Sequence, residues 1–516
     1  MGAVDVVSPF PVADSPETTP SGPAEEDLWL RPKACTGEVE PDFSGMPLDL
    51  LIEYRRPNPY EGVGKRGVRG MRTQTRNLEK GLRVPVFVKT ILGRLHSRGH
   101  EAYIVGGAVR DVCMKQAVTD WDITTSAPPE AIESVFHDIK SFSLKHETVT
   151  LVEQSRHYEV TCFRGQDGSG ETIEEDLSHR DFTINAMAYD ATTKRIIDPY
   201  GGRKDILRGL IRAVGNPEDR FREDPLRLMR AVRMAAEIGF EIEPKTLKAI
   251  RRMAKQLRGI AEERIRDELL KILLSKKPSR GLELLQANGL LGMFLPELLE
   301  GGRKKQNHDT IYCHILKTTD RVKPEPALRL AALFHDIAKP RHRERTKGEF
   351  RFPGHEAAGA GMAQEIMLRL KFSRGMIHEV AHLVRNHVPV TSYDVPWSDE
   401  ALRRLVRRLE PEHVKDFFSF SRADLLAHGR RNRRVRILSD LEKSAYRIIK
   451  KPLAFETRQL AIDGKKVMDI FGLPPGPKVG KILEFLMERV TDHPEMNTED
   501  KLIALLEEMN VGGHED

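Results

Sequence analysis

The stretch Tyr103-Ile-Val-Gly-Gly-Ala-Val-Arg-Asp111, followed by Asp120-Trp-Asp-Ile-Thr-Thr-Ser126, decides the reading of this chain. Gly106-Gly107 permits a tight turn whose backbone N–H groups come close to a polyphosphate, and the N-terminus of a following helix adds a favourable dipole. Arg110 offers a fork of donors to the same anion. On a strand alternate residues face one side, so Asp120 and Asp122 are expected to point at one pair of divalent ions while Trp121 faces the core. Mg²⁺ prefers hard oxygen ligands, and two carboxylates around a metal pair suit the attack of a hydroxyl and the departure of pyrophosphate. Asp-x-Asp alone is common and says little. Beside the glycine turn it points to nucleotidyl transfer, with Glu159, on an expected neighbouring strand, as a candidate third metal ligand.

Working outward, Val84-Pro-Val-Phe-Val88 leads into an amphipathic helix that ends near Gly99, and Ala102–Val105 reads as a strand. Ala108–Lys115 reads as a helix, Asp122–Thr125 as a second strand and Pro129–Asp138 as a helix. Thr148–Val152 and Tyr158–Phe163 form an expected hairpin, which completes a small mixed α/β domain. From Pro225 to about Leu274 the spacing of Leu226, Met229, Val232 and their successors predicts almost continuous helix. Helices go on through the His-rich region from 308 to about 430. Near the end, Ala461 to Pro477 predicts a helix that yields to a Gly/Pro turn, with another helix from about Lys478.

The chain has 516 residues, enough for about three or four domains. Lys plus Arg number 83 against 77 Asp plus Glu, and the net charge of +6 suits a polyanionic partner without identifying one. Cys35, Cys113, Cys162 and Cys313 form no paired CxxC, so neither a disulfide framework nor a thiolate zinc site is expected. A cytoplasmic location fits, since no secretory leader and no apolar run of membrane-spanning length is evident. Residues 1 to about 27 are rich in Pro, Ser, Glu and Thr and are expected to be disordered. The basic stretch from Arg55 to Arg76 reads equally as an RNA-touching arm or a solubilising segment.

Further polar residues fall in order behind the first motif. In His179-Arg-Asp-Phe-Thr-Ile-Asn185, Arg180 can meet phosphate, while Asp181 and Asn185 can bond ribose hydroxyls. Asp198-Pro-Tyr-Gly-Gly-Arg-Lys-Asp-Ile206 suits the closing edge of a domain. On the next helix, Asp224 accepts and Arg227 donates hydrogen bonds, so the pair can test the edge of a base without a template. Glu223 precedes them, and Arg230 and Arg233 extend the arginine face. A surface ion pair predicts the same spacing.

These motifs resemble those of bacterial-type (class II) tRNA nucleotidyltransferases and related poly(A) polymerases, a branch of the polymerase β superfamily. The first motif of that family is matched by Gly106-Gly107 through Asp111 with Asp120 and Asp122. The second is matched by Arg180-Asp181 through Asn185, and the third by Asp198-Pro with Gly202 and Asp205. Glu223, Asp224 and Arg227 match the base-reading motif, Glu263-Arg-Ile-Arg-Asp-Glu268 a later helical motif, and Pro474-Pro-Gly-Pro477 with Asn497-Thr498 the tRNA-contacting tail. The resemblance covers about residues 84–510.

What it implies is an α+β fold class, a small mixed α/β polymerase-β-type head followed by a mostly helical neck, an HD-like body and a tail. The expected divisions are an N-terminal extension (1–83), the head (84–215), a neck reading the incoming base (216–285), the HD-like domain (286–450) and an RNA-binding tail (451–516). The implied enzyme extends a tRNA acceptor end from CTP, ATP or both, with Mg²⁺ at the transferase site and RNA phosphates supplying salt-sensitive affinity. Gly106, Gly107, Arg110, Arg180, Asp181, Asn185, Asp224, Arg227 and Arg230 are the nucleotide-binding candidates. His179 stands where relatives commonly have Arg. The stretch Gly165–Asp176 is shorter than the flexible loop of full CCA-adding relatives and resembles enzymes restricted to adding two cytidines. Complete CCA addition, a poly(A) or A-adding role and a catalytically silent RNA-binding scaffold are the alternatives.

A second constellation, His314, His335-Asp336 and Asp424, resembles the H…HD…D order of metal-dependent HD phosphohydrolases. It implies a site for a divalent transition metal or Mg²⁺, with His355 and His387 as candidate ligands of a second ion. Hydrolysis of a phosphomonoester or a 2′,3′-cyclic phosphate is the chemistry such a site suits. A helical module retained for RNA binding or stability is the alternative.

Overall fold

The protein is described here from a computed structural model over residues 83–512, apart from 145–147, 166–167, 303–304, 307–308, 347–348, 388–396, 430–432 and 451–459. The expected N-terminal extension, with its Pro/Ser-rich start and basic arm, lies outside the described residues but for its last position.

Helix α1 (Val86–Ser97) buries Val88, Ile91, Leu92 and Leu95, the i, i+3, i+4, i+7 stripe of an amphipathic helix. It leads to a mixed seven-stranded sheet of β1 (Ala102–Val105), β2 (Asp122–Thr125), β3 (Ser141–Leu144), β4 (Thr148–Glu153), β5 (Arg156–Cys162), β6 (Ala188–Asp190) and β7 (Arg195–Ile197). The strand order is β3-β4-β5-β2-β1-β6-β7, so β2 lies in the middle between β1 and β5. Strand β2 runs antiparallel to β1, with Val105 opposite Asp122, and parallel to β5, with Asp122 beside Glu159. That register puts the two carboxylates next to each other on one face, because paired residues of neighbouring strands point the same way.

The chain leaves β1 through Gly106, held at φ +69°, where an L side chain is strained, and enters α2 (Gly107–Cys113) at once. Helices α3 (Pro129–Val135), α4 (Ile173–Ser178) and α5 (Gly202–Arg208) complete the sheet-bearing part. The Asp198 carboxylate accepts from the Gly202 and Arg203 N–H groups, which makes the expected domain-edge motif a cap on α5.

Beyond the sheet lie α6 (Pro217–Glu223), α7 (Arg227–Ile238), α8 (Pro244–Met253), α9 (Glu262–Leu274) and α10 (Pro278–Ala287). The continuous helix expected from Pro225 to Leu274 is broken after α7. Gly239 adopts φ +77°, and Glu241-Ile242 then pairs in parallel with Leu210-Ile211. An apolar period alone does not register such a break, since Gly239 stops the helix through its backbone and not through a polar side chain.

Next come α11 (Leu291–Phe294), α12 (Ile311–Arg321), α13 (Pro326–Phe334), α14 (His355–Arg369), α15 (Arg374–Asn386), α16 (Asp399–Leu409), α17 (Val414–Ala427) and α18 (Arg433–Ile449). The tail holds α19 (Gly464–Phe471), α20 (Pro477–Asp492) and α21 (Glu499–Gly512), with the Gly/Pro turn between the first two as expected. One apolar core runs from Val84 to Ala423, and separate cores gather Leu402–Ile448 and Leu460–Leu506. No helix among the described residues is long and apolar enough to cross a membrane.

Candidate active site and histidine-rich centre

A cavity of about 810 Å³ opens where the sheet meets α6, α7 and α9. Gly106, Gly107, Asp122, Glu159, Arg180, Asp181, Asn185, Asp224, Arg227 and Arg230 all line it, so residues spread over more than a hundred positions converge on one space. A Cβ on Gly106 would lie 3.1 Å from the Arg180 guanidinium and 3.4 Å from Asp122 Oδ2. The glycine turn is therefore packed directly between a cation suited to phosphate and a carboxylate suited to metal.

The acids differ in role. Burial pushes the Asp122 carboxyl up from the ordinary range; Arg180 opposes this and Asp120 adds to it. Glu159 is also raised, by burial and then by Asp122 and Asp120. Carboxylates that repel one another in this way favour a cation between them. Asp120 departs from expectation: β2 begins at Asp122, and Asp120 is exposed in the preceding loop, where it accepts from the Thr119 hydroxyl. The side-chain groups that place three ligand atoms within 4.8 Å of one another do not include Asp120, Asp122 and Glu159. Strand alternation could not place Asp120, because it precedes the first ladder bond.

Arg110 also departs from expectation. Its guanidinium donates to Asp111 Oδ1 and to Asn185 Oδ1, both at 2.8 Å, and it does not line the cavity. Asn185 in turn donates through Nδ2 to Asp181, which leaves it fixing its neighbours. Asp181 is buried and accepts from the Phe182 N–H, from Asn185 and from Arg230 Nε at 2.8 Å. Burial alone would raise its carboxyl, but Arg230 and these hydrogen bonds hold it well below the usual carboxylate range. Arg180 is braced from behind by the buried Asp176 at 2.9 Å.

On the helical wall, Asp224 accepts from the Leu226 N–H and from Arg264 at 2.8 Å. Arg227 donates to Glu223 at 2.7 Å and to the carbonyls of Arg220 and His179. Asp224 and Arg227 do not pair with each other: Arg227 takes Glu223 and Asp224 takes Arg264, and all four line the cavity.

The histidine-rich centre lies among α12–α15 and α17. His314 Nε2 is 2.8 Å from Asp424 Oδ1 and 3.2 Å from His335 Nε2, while His335 Nε2 is 3.3 Å from Asp336 Oδ2. The other oxygen of Asp336 faces His355 Nε2 at 3.6 Å and His387 Nε2 at 3.5 Å. Two trios therefore form, His314/His335/Asp424 and Asp336/His355/His387, and only Asp424 is not fully buried. His335, His355 and His387 each turn Nδ1 to a backbone carbonyl three residues earlier, of Ala332, Phe352 and Val384. With Nδ1 as donor, each Nε2 carries a lone pair directed inward, the arrangement a metal ligand needs. Asp336 Oδ1 and His355 Nε2 are buried without a hydrogen-bond partner. His335 is the C-cap of α13 and Asp336 follows it, so the pair stands just past the helix and not inside it.

Three domain families match the chain in order: the poly A polymerase head domain over residues 102–212, the probable RNA- and SrmB-binding site of polymerase A over 239–300, and the HD domain over 311–403. An A-adding tRNA nucleotidyltransferase of Deinococcus radiodurans is 34% identical over 411 residues, which cover 75% of this chain and 91% of that protein. The chain belongs to the tRNA nucleotidyltransferase family. A CC-adding tRNA nucleotidyltransferase of Thermus thermophilus is 33% identical, over 75% of this chain and 89% of its own. The crystal structure of the Bacillus stearothermophilus CCA-adding enzyme in complex with CTP superimposes with a TM-score of 0.63 at 29% identity, over 82% of this chain and 97% of that one. The protein is thus a nucleotidyltransferase with a tRNA-processing, RNA-binding and HD-domain make-up, in a family that generally depends on divalent metal.

Several residues of this tRNA nucleotidyltransferase's cavity escaped the sequence reading. Arg164, Gly165 and Arg264 line it, and His179 and Glu223 stand beside the expected residues. Arg264 had a signal, since it lies in the later helical motif, but nothing in the spacing says that α9 packs against α7. In the histidine-rich centre, His428 stacks on His314 with ring centroids 4.0 Å apart, and Lys339 Nζ reaches Asp336 Oδ2 at 2.7 Å. His428 follows Asp424 by four residues, and that spacing alone places it on the same helical face.

Proposed function

We propose that this enzyme adds CMP to the 3′ end of tRNA, with CC addition favoured over complete CCA addition. What carries the reading is the single cavity in which Asp122 and Glu159, Arg180 and the Asp224–Arg227 pair face one another. Arg180 suits the triphosphate, and Asp224 and Arg227 suit the acceptor and donor positions on the edge of a base. A divalent ion such as Mg²⁺, held by Asp122 and Glu159 with Asp120 nearby, would lower the pKa of the attacking hydroxyl and neutralise the leaving pyrophosphate. The RNA 3′ hydroxyl attacks the α-phosphorus, and the bond from that phosphorus to the β-phosphate oxygen breaks.

Relatives of nearly equal identity are named A-adding and CC-adding, so overall similarity does not select the product. The preference for CC addition rests on the short connection after β5. Arg164-Gly165 pairs with Gly168-Ser169, and α4 starts soon after with Thr172 as its cap. A Cβ on Gly170 would meet the Arg164 carbonyl oxygen at 2.5 Å, so the connection is closed tightly. With tRNA lacking all three terminal nucleotides and CTP plus ATP supplied, the expected product is tRNA ending in CC. Exchange of a longer family loop into 165–172 is expected to add the terminal A. Complete CCA from the native enzyme, read by product sequencing, would reject the CC assignment while leaving the transferase reading intact.

We further propose that the histidine-rich centre binds two divalent ions, one at His314, His335 and Asp424 and one at His355 and His387, with Asp336 shared between them. The orphaned Asp336 Oδ1 and the inward Nε2 atoms support this reading. The Lys339 ammonium now neutralises Asp336 and must yield to an ion. After equilibration with Mn²⁺ or Ni²⁺ and gel filtration, Asp336→Ala is expected to hold two fewer ions per chain than the native protein, and His355→Ala/His387→Ala one fewer. Equal metal content in all three proteins would reject the centre. A phosphohydrolase activity on 2′,3′-cyclic phosphates is the corresponding chemistry, and equal phosphate release by native, His335→Ala and Asp336→Ala proteins would reject it.

A further inference from the structure

Asp224 is held in place before any nucleobase arrives. Its Oδ1 accepts from the Leu226 N–H at 3.2 Å, a bond that starts α7, and its Oδ2 accepts from Arg264 at 2.8 Å. Arg227 is also held, by Glu223, Arg220 and His179. The Arg264 side chain is half exposed and lines the same cavity, whereas the Leu226 bond belongs to the helix start. Arg264 is therefore the partner that fixes the direction of the outward oxygen.

The platform behind Arg264 is stiff. It projects from α9, and one turn further along that helix the buried Glu268 pairs with Arg233 of α7 at 2.8 Å. Two ion pairs, Arg264–Asp224 and Glu268–Arg233, thus tie α9 to α7 and to the turn that precedes it, which carries the Asp224 carboxylate.

From this geometry we propose that Arg264 is a specificity-determining residue, which holds the Asp224 carboxylate so that the cavity accepts bases with an exocyclic amine and rejects those with a carbonyl in its place. The proposal rests on the transferase reading. Cytosine and adenine present an amine donor on the pairing edge, while uracil and guanine present a carbonyl oxygen there. A fixed carboxylate accepts from the first pair and repels the second. A carboxylate free to turn aside still allows the amine bond but no longer enforces the repulsion, so selectivity falls further than activity.

The test compares kcat/KM for CTP and UTP, at saturating tRNA lacking its three terminal nucleotides, in the native enzyme, Arg264→Ala, Arg264→Gln and Arg264→Lys. The CTP-to-UTP ratio is expected to fall by about tenfold or more in Arg264→Ala and Arg264→Gln, in line with loss of one charge-assisted hydrogen bond. Arg264→Lys is expected to recover much of the ratio. Arg266→Ala, which alters the same helix at a residue bonded to Asp267 and the Lys371 carbonyl and outside the cavity, is expected to keep it. An unchanged ratio in Arg264→Ala or Arg264→Gln, whether activity is native or lowered equally for both nucleotides, would overturn the proposal. Failure of the native enzyme to transfer any nucleotide would overturn the transferase reading itself.

Discussion

Alanine in place of Asp122 is expected to lower single-turnover CMP transfer by roughly 10³-fold or more, since a carboxylate that holds a catalytic cation is worth several kcal/mol and about 4 kcal/mol corresponds to roughly 10³ in rate. Asp122 stands in the central strand, in register with Val105 on one side and Glu159 on the other, so its position is fixed by the ladder and not by a loop. Its carboxyl is raised chiefly by burial, so its removal relieves that cost and lifts one repulsion from Glu159, and the melting temperature is expected to hold or rise. Loss of transfer without loss of stability separates a chemical role from a structural one. Transfer within tenfold of native in Asp122→Ala would falsify the assignment. Asp120→Ala provides the comparison: if it is equally severe, the exposed loop must bring that carboxylate inward when substrate binds.

The second large effect concerns stability. Asp181→Ala removes the acceptor for the Phe182 N–H, Asn185 and Arg230 together and strands a guanidinium that was paired at 2.7 Å. Breaking a buried pair from one side typically costs about 3–5 kcal/mol, and the lower end applies because Arg230 keeps some access to water. Urea unfolding is expected to show a loss of about 3 kcal/mol on that basis, and a loss below about 1 kcal/mol would contradict the account. The pH dependence follows from the direction of the shift. The folded carboxyl is depressed below its unfolded value, so its contribution is complete above the unfolded pKa of about 4 and is lost as pH falls toward the lower folded value. Between about pH 5 and pH 2, native stability is expected to fall more steeply than that of Asp181→Ala.

How much of this was visible in the residues alone can be judged position by position. Strands β1 and β2, the helix after the double glycine, the β4–β5 hairpin and the Gly/Pro turn of the tail all lie close to where alternation and turn chemistry put them. Such signals are local, and local chemistry specifies them. Asp122, Glu159, Arg180 and the Asp224–Arg227 pair do converge on one cavity: Asp122, Glu159 and Arg227 stand on regular elements, and Arg180 and Asp224 lie just beyond the ends of helices α4 and α6. Arg110 and Asp120 are the instructive exceptions. Arg110 is read from its residue type beside the glycine turn and Asp120 from strand alternation, and neither says which neighbour a long arginine will reach or where a strand begins. Arg264 and Lys339 show the converse: each matters through a partner far away in sequence or through burial that no period records.

Three arginines of α6 and α7 grip one short piece of main chain and its side chain: Arg220 binds the Ser178 carbonyl, Arg227 the His179 carbonyl and Arg230 the Asp181 carboxylate. Arg227 and Arg230 also face the nucleotide cavity, so the fastening between sheet and helices and the seat for the substrate are one structure. Nucleotide preference is consequently not a portable property of either half. A grafted sheet or a grafted helical segment would arrive with half of each grip missing, and only a transplant carrying residues 178–181 together with 217–230 would bring the seat along intact.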